Sequence, residues 1–240
     1  MKFKAIAVMV TGAALSLGLA GSALAAPLGM AKPAPQVTGS RLQSALLPAS
    51  AFGDGLTVDG HLNTGNTLGS THAFYRPSGL KCSTFQTYTF VGVFGDTAGA
   101  TDGINNPNPA FGDYPNLLLA GDQAVLQFQT TQAAASFYNQ AYARYRQCSA
   151  FTESPGTGDT LELTTQSLYS TTIDNNKAFQ LIQYVDISSL ASVNFYQNTA
   201  VALSGTNVYT IDILDGTNDP ISASLMTNLI HRVQALYRHR

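Results

Sequence analysis

The clearest alternation of apolar and polar positions in this chain lies in the 26 residues from Gln123 to Cys148. Over its first eight residues, Ala124, Leu126 and Phe128 share one face, while Gln127 and Gln129 share the other. A period of two with aromatic and aliphatic members is typical of a strand that is half-buried against a core. The pattern therefore predicts a strand over 123–130 with its amide side chains toward solvent.

The same stretch then changes to a helical period. Thr130 and Thr131 supply hydroxyls that can cap the free N–H groups of a helix start. The apolar and aromatic residues that follow recur at intervals of three and four: Ala134, Phe137, Tyr138, Ala141, Tyr142, Tyr145 and Cys148. This spacing predicts an amphipathic helix about 27 Å long at 1.5 Å per residue. A strand and a helix joined by two threonines should pack against the same core.

The region before this unit predicts fewer regular elements. The run SRLQSALL is expected to be a short helix that Ser40 caps and Pro48 stops. Turn residues dominate Gly53–Gly79, which is expected to be loops with one short strand at most. Apolar residues occupy both faces of the segment Tyr88–Phe94, which predicts a strand at the centre of a sheet.

A long polar segment, Gly95–Tyr114, contains TDGINNPNPAFGD and is predicted to be a loop. Loops of this length are usually functional or disordered. The D-x-[DN]-x-[DN]-G spacing of a calcium loop is missing, so turn chemistry explains the Asp and Asn content. Phe111 and Tyr114 are candidates for ligand-binding residues at the edge of a cleft, and the alternative is that they are core aromatics or part of a surface loop.

After Cys148 the pattern is that of strands followed by a last helix. Alternating residues predict strands around Leu161–Leu163 and Phe179–Val185, and Ser204–Asn207 has the composition of a hairpin turn. In the closing helix, Asp219 is the expected cap, Pro220 lies in the first turn, and the apolar stripe is Leu225, Leu229, Ile230, Val233, Leu236 and Tyr237. Together these elements predict an α+β fold, a mostly antiparallel β-sheet flanked by helices, with a possible ligand cleft.

The N-terminus has the features of an export signal. Lys2 and Lys4 precede an apolar run, and Ala23-Leu24-Ala25 has the form of a signal-peptidase site. The run is shorter than a membrane-spanning helix requires. We therefore expect residues 1–25 to be removed as a signal peptide, residues 26–39 to form a flexible leader and residues 40–240 to form one exported domain with no stable membrane insertion.

Charge and cysteine content narrow the classes of partner. Only 11% of residues are charged and the net charge is −2. A nucleic-acid or anionic-membrane surface would need clustered Lys and Arg, so this low charge argues against both kinds of partner.

The two cysteines, Cys82 and Cys148, are most simply one disulfide bond in an exported protein, and two buried free thiols are the alternative.

Known catalytic and metal-binding motifs are missing from the sequence. There is no G-x-S-x-G or H-E-x-x-H motif, and the four histidines are not spaced as zinc ligands. A Ser-His-Asp group assembled from distant segments, for instance around Ser70 and His72, stays open as an alternative. No metal, cofactor or catalytic residue is predicted.

Four segments resemble the exported sensor domains of the PknH-type bacterial receptor kinases. They are LQSALLPASAFGDGLTV, the strand–helix unit that ends in Tyr145-Arg146-Gln147-Cys148, SGTNVYTIDIL and ISASLMTNLIHRV. The resemblance covers about residues 40–237. Tyr145 stands where the family usually has Trp, and this chain has two cysteines where members often have four, so at most one family disulfide remains.

The resemblance implies a stand-alone sensor-type domain of an actinobacterial cell envelope, secreted and without a kinase domain. It implies no catalysis, and a cleft for an unknown small molecule, glycan or peptide of the envelope. It also places a cysteine of a family disulfide at the end of the helix, where Cys148 stands. The alternatives are a secreted hydrolase with a non-standard Ser/His/Asp site and a protein-interaction module.

Overall fold

A computed structural model describes residues 36–64, 70–77, 85–90, 96–107, 118–147, 149–153, 161–187 and 194–238. Three helices lie in this part of the chain: α1 (Gly39–Ser44), α2 (Thr131–Gln147) and α3 (Ala223–Arg238). Its strands are β1 (Thr57–Thr64), β2 (Ser70–Pro77), β3 (Phe85–Phe90), β4 (Asp96–Asn105), β5 (Leu118–Phe128), β6 (Ala150–Glu153), β7 (Leu161–Ile173), β8 (Asn176–Ile187), β9 (Phe195–Ser204) and β10 (Asn207–Asp215). A single 3-10 turn, Ala49–Ala51, follows α1.

Eight of the strands form one antiparallel sheet in the order β1-β4-β5-β10-β9-β8-β7-β6, and β2 pairs with β3 in a separate two-stranded sheet. Most neighbouring strands in the large sheet are consecutive in sequence. The exceptions are β1 beside β4 and β5 beside β10. Helix α2 and strands β6–β9 lie in the sequence between β5 and β10. This long-range pairing joins the first and second halves of the domain.

Helices cover both faces of the large sheet. One core lies between the sheet and α1 and α3, and includes Leu42, Tyr209 and Leu229. The other lies between the sheet and α2, and includes Phe128, Tyr138 and Phe179. The molecule is therefore a helix–sheet–helix arrangement, with alternate residues of each central strand contributing to opposite cores.

The predicted strand–helix unit is present with its threonine cap. Thr130 Oγ1 accepts a hydrogen bond from the Ala133 N–H at 3.1 Å, and α2 begins at Thr131. Phe137 and Tyr138 are buried, and their rings lie 5.4 Å from Phe128 and 5.3 Å from Phe179 respectively. The aromatic stripe of α2 thus packs on the sheet as its spacing predicts.

The prediction that this strand is only half-buried is wrong. Gln123 and Gln127 have exposed fractions of 0%, because they lie on the face that α1 and α3 cover. Gln127 Oε1 accepts from the Val37 N–H at 2.9 Å, and Gln127 Nε2 donates to the Val37 carbonyl at 3.1 Å. A period of two alone predicts that the amide faces solvent. Here the main chain at Val37, in the segment that covers this face, satisfies the hydrogen bonds of the amide.

The first part of the domain holds more strand than its turn-rich sequence indicates. Gly53–Gly79, predicted to be mostly loops, contains β1 and β2. The strand predicted at Tyr88–Phe94 is confirmed over Tyr88–Phe90, which belong to β3, and its remaining residues lie outside the described part of the chain. Among the described strands β3 pairs only with β2, so its predicted position at the centre of a sheet is wrong. Apolar residues on both faces of a short segment do not specify which sheet it joins.

The predicted loop Gly95–Tyr114 is also wrong over its first half. Residues Asp96–Asn105 form β4, which pairs with β5 on one side and β1 on the other. Its alternate residues Ala98, Ala100 and Ile104 are buried. Glycine and aspartate lower strand propensity, but burial against cross-strand neighbours overrides that preference.

Two helix caps differ from the prediction. Thr38, not Ser40, is the N-cap of α1, since its side chain accepts from the Arg41 N–H. Helix α3 begins at Ala223, and the Ser222 carbonyl accepts from the N–H groups of Leu225 and Met226. Asp219 therefore precedes the helix by a full turn instead of capping it.

The arginine near the middle of α3 bonds outside its own helix. Arg232 Nε donates to the Ala45 carbonyl at 2.8 Å, and Arg232 Nη2 donates to the Ser44 carbonyl at 3.4 Å. These carbonyls lie at the end of α1, where helical partners run out. Arg232 thus fixes α1 to α3.

Several predictions fall outside the described residues. They are the signal peptide at residues 1–25, both cysteines of the predicted disulfide, Cys82 and Cys148, and the candidate binding residues Phe111 and Tyr114. Gln36 and Val37, at the end of the predicted leader, are already held against β5. Among the helices described, none is long and apolar enough to span a membrane.

Candidate functional site

A cavity of about 400 Å³ opens where the start of α3 meets the end of β10 and the first half of β9, on the face of the sheet that α1 and α3 cover. Its apolar wall is formed by the 3-10 turn, the sheet and the start of α3, through Ala51, Phe52, Ile213, Pro220, Ile221 and Leu225. Its polar wall consists of Asn198, Asp215, Asp219, Ser222, Ser224 and Asn228. Volumes of this size accommodate small organic ligands.

The last residue of β10, Asp215, stabilises a tight turn. Asp215 Oδ1 accepts from the Thr217 N–H at 2.9 Å and from the Thr217 hydroxyl at 3.2 Å. An Asp side chain that bonds the main chain two residues later is common in turns. The turn leads the chain from the end of β10 past the cavity toward α3.

Asn198 connects this turn to β9. Its Nδ2 donates to Asp215 Oδ1 at 3.1 Å and to the Thr217 carbonyl at 3.1 Å. Asn198 is 1% exposed, and its Oδ1 has no hydrogen-bond partner in the described structure. A buried amide oxygen left without a donor costs free energy, and such groups in native proteins call for a specific explanation.

The electrostatics of the cavity centre on Asp215. Burial raises the pKa of Asp215 to about 6, hydrogen bonds from Thr217 and Asn198 oppose this shift, and the negative charge of Asp219 adds to it. The three hydrogen bonds that Asp215 accepts from described residues all end on Oδ1. The second carboxylate oxygen is therefore open to a donor from outside the protein.

The opposite wall of the cavity is held in place by the sheet. Gln180 Nε2 donates to the Ile221 carbonyl at 3.1 Å, which fixes the segment that leads into α3. The hydroxyls of Ser222 and Ser224 lie 2.7 Å apart and bond each other. These contacts give the cavity a preformed wall at the first turn of a 16-residue helix.

A second polar cluster lies on the other face of the sheet, under α2. Asp122 of β5 and Asp212 of β10 are directly paired across the two strands. Asp212 is 6% exposed and accepts a hydrogen bond from the Thr199 hydroxyl of β9. Oδ1 of Asp122 is enclosed without a partner in the part of the chain described.

The two carboxyl groups share a site that disfavours charge. Burial raises the pKa of Asp212 to about 7, against hydrogen bonds from Thr199 and Gln197. Burial, followed by the charge of Asp212, raises the pKa of Asp122 well above its ordinary value of 3.8. Two carboxylates held side by side cannot both ionise readily, so the pair retains a proton near neutral pH.

Helix α2 covers this pair with Tyr145. Its ring lies 5.9 Å from that of Phe179, and the side chain is 6% exposed. Burial raises the pKa of the Tyr145 hydroxyl, and the nearby charges of Asp212 and Asp122 raise it further. The aromatic near the end of α2 thus seals the polar cluster from that side.

Gly121 lets β5 and β10 approach closely beside this pair. A Cβ atom at position 121 would lie 2.7 Å from the main-chain oxygen of Asp212, well inside van der Waals contact. Only glycine fits there without a shift of the Asp212 backbone. The register that sets the two aspartates opposite each other therefore depends on Gly121.

The structure only partly addresses the residues singled out in the sequence. Phe111 and Tyr114 are not described, but β5 begins at Leu118, which pairs with Asp215 at the cavity end of the sheet. His61 lies on β1, and Ser70 and His72 lie on β2, while the orientation of these three side chains is outside the description. Within the described residues, no three His, Cys, Asp or Glu side chains group as a metal site.

The overall fold is similar to the crystal structure of the extracellular domain of PknH from Mycobacterium tuberculosis. The TM-score is 0.58 at 14% sequence identity, and the match covers 85% of this chain and 98% of that one. At this identity the likeness is one of fold. It confirms the predicted α+β class with a mostly antiparallel sheet flanked by helices. No protein-family model matches the chain, and no curated protein sequence matches it.

Sequence reasoning missed Asn198, Asp215, Asp122 and Asp212. Asp215 stands in the run DGTND, whose composition indicates a turn and whose second aspartate resembles a helix cap. Asp212 stands between two isoleucines in a strand, a position that is unusual for a carboxylate, whereas Asp122 is flanked by Gly121 and Gln123. An acidic residue within an apolar strand was the available signal for Asp212, and Asp122 and Asn198 gave no comparable signal.

Proposed function

We propose that this chain is an extracytoplasmic, non-catalytic sensor-type domain that binds a small molecule in the cavity beside Asn198 and Asp215. One observation carries the proposal: Asp215 accepts its hydrogen bonds from described residues on Oδ1 alone, and it lines a preformed cavity that also has an apolar wall. A ligand that donates to the second carboxylate oxygen would satisfy it. The fold likeness to an extracellular domain supports the compartment and the sensor-type role.

The chemistry of the cavity wall favours binding over catalysis. Its polar side chains are carboxylates, amides and hydroxyls, with no His, Cys or Lys among the described lining residues. The two serine hydroxyls bond each other instead of a general base. A nucleophile needs an adjacent base within hydrogen-bond reach, and this wall does not provide that pair.

Phe111 and Tyr114 are proposed as further contacts to the ligand. They precede Leu118, and the Leu118–Asp215 pairing places the start of β5 at the end of the sheet where the cavity lies. Long segments that leave a sheet at one end often contribute to a site there. Replacing both residues with Ala should weaken binding of the same ligand without unfolding the domain.

The proposal is tested with ligand-observed NMR on a fragment library and on envelope extract. The comparison is between the wild type and Asn228→Trp, which places a large ring at the cavity mouth from an exposed position of α3. Gln140→Trp is the matched control, since Gln140 is an exposed helical residue on the opposite side of the sheet.

We expect fragments that bind the wild type and Gln140→Trp but are lost in Asn228→Trp. Melting temperatures of the two variants should stay close to that of the wild type, because both substitutions are at the surface. If every fragment that binds the wild type binds Asn228→Trp equally well, the cavity is not the ligand site.

A further inference from the structure

We propose that the ligand of this cavity carries a protonated amine at one end and an apolar body at the other. This inference rests on the proposed function, because it names the chemical class of the molecule that fills the same cavity. It follows from the excess of hydrogen-bond acceptors over donors on the polar wall and from the apolar wall that faces them.

Two carboxylates on the cavity wall have oxygens without a donor in the described structure. The second carboxylate oxygen of Asp215 receives none of its three hydrogen bonds. Asp219 lines the cavity and makes no hydrogen bond or ion pair with a described residue. An alkylammonium group offers three N–H donors and no acceptor, which matches this set.

The charge of the cavity also favours a cation. Asp215 and Asp219 contribute two carboxylates, and no Lys, Arg or His is among the described lining residues. The N-terminus of α3 opposes them with a partial positive charge of about one half of an elementary charge. The carboxylates outweigh the helix end, so the cavity attracts a cation rather than the anion that helix N-termini commonly hold.

Two described arginines on the helices of the same sheet face bond to main-chain carbonyls. Arg232 donates to the Ala45 and Ser44 carbonyls, and Arg41 Nη2 donates to the Leu236 carbonyl at 3.4 Å. Neither residue lines the cavity. A protein cation that neutralises Asp215 and Asp219 is thus missing from the described part of the chain, and a ligand cation would fill that role.

The remaining wall selects for an apolar body. Phe52, Ile213 and Leu225 are partly buried residues that pack against the core and also line the cavity. An alkyl or aryl group placed against them would be removed from water, which is favourable in proportion to the apolar area buried. A small inorganic cation would leave this wall unused.

The test uses three probes of equal chain length: octylamine, octanol and octanoate. Their affinities for the full chain are measured by calorimetry at pH 7.5, where Asp215, with a pKa of about 6, is ionised. The variants are Asp215→Asn and Asp219→Asn, and Asp186→Asn is the control because Asp186 is an exposed aspartate on β8.

We expect octylamine to bind more tightly than octanol, and octanoate to bind least. Asp215→Asn should weaken octylamine binding about tenfold, the usual effect of losing a charged hydrogen-bond partner, and leave octanol within about twofold. Asp186→Asn should change neither affinity. Because octanol fills the same apolar wall, the ratio of the two affinities separates loss of charge recognition from a damaged fold.

Octanoate binding more tightly than octylamine would overturn the inference, as would an equal loss of octylamine and octanol affinity in Asp215→Asn. In either case, fragments that bind the wild type but not Asn228→Trp would show that the cavity is still the ligand site, for a ligand of another chemical class. If none of the three probes binds and no fragment depends on position 228, the proposed function itself fails.

Discussion

Gln123 and Leu47 are joined by two hydrogen bonds that reproduce the pairing of neighbouring strands. The Leu47 N–H donates to Gln123 Oε1 at 2.8 Å, and Gln123 Nε2 donates to the Leu47 carbonyl at 2.7 Å. Gln127 pairs in the same way with Val37, ten residues earlier in the chain. Two buried amides of β5 thus fix both ends of the segment that contains α1 and carries the chain toward the cavity wall at Phe52.

Replacing Gln123 with Leu should destabilise the domain by about 2–4 kcal/mol, because a buried N–H and a buried carbonyl of Leu47 would lose their partners. Gln140→Leu is the control, and its exposed position should keep the change within about 0.5 kcal/mol. Urea unfolding measures both. Equal stability of the two variants would show that the Leu47 main chain does not depend on Gln123.

Stability should decrease as the pH rises from about 4 to 7. Burial raises the pKa of Asp212 to about 7 and the pKa of Asp215 to about 6, above the ordinary value of 3.8 that each has in the unfolded chain. In this window the folded state binds more protons than the unfolded state, so raising the pH favours unfolding. The urea midpoint should therefore be higher at pH 5 than at pH 8.

The variant Asp212→Asn tests the contribution of Asp212 to this pH dependence. It keeps the shape of the side chain but removes one of the two buried carboxyl groups that bind protons, so the difference between the pH 5 and pH 8 midpoints should shrink. Asp186→Asn should preserve that difference, since Asp186 is exposed. A midpoint that rises with pH in the wild type would mean that the pair is ionised in the folded protein.

The disulfide between Cys82 and Cys148 stays a prediction from the sequence. Two cysteines in an exported chain favour one bond. Titration of the unfolded, unreduced protein with a thiol reagent should then find no free thiol. Two reactive thiols per chain would contradict the bond and, with it, the argument from cysteine usage.

Elements with a strong apolar period are the ones that could be predicted from the sequence. The strand–helix unit around Thr130, the hairpin at Gly205 and the stripe of α3 all match the structure, because each combines periodicity with local cap or turn chemistry. Strand β4 was not predicted, because its Gly, Asp and Asn residues are typical of turns. Its strand conformation depends on pairing with β1 and β5, which lie on either side.

The candidate site could not be predicted for a related reason. Its residues come from the 3-10 turn at Phe52, from Asn198 on β9, from Asp215 at the end of β10 and from the start of α3. None of these segments carries a motif by itself. They meet in the fold, where Gln180 holds the segment before α3 and Asn198 holds the turn after β10.

The most direct test of the account is a ¹H–¹⁵N correlation spectrum of the protein titrated with octylamine. We expect saturable shifts in the side-chain amide of Asn198 and the main-chain amide of Leu225, since both residues line the cavity, and in the main-chain amide of Thr217, which donates to Asp215. The amide of Gln140, on the opposite side of the sheet, should not move. Saturable shifts elsewhere in the protein, with the signals of Asn198, Thr217 and Leu225 unchanged, would contradict the central claim that this cavity is the ligand site.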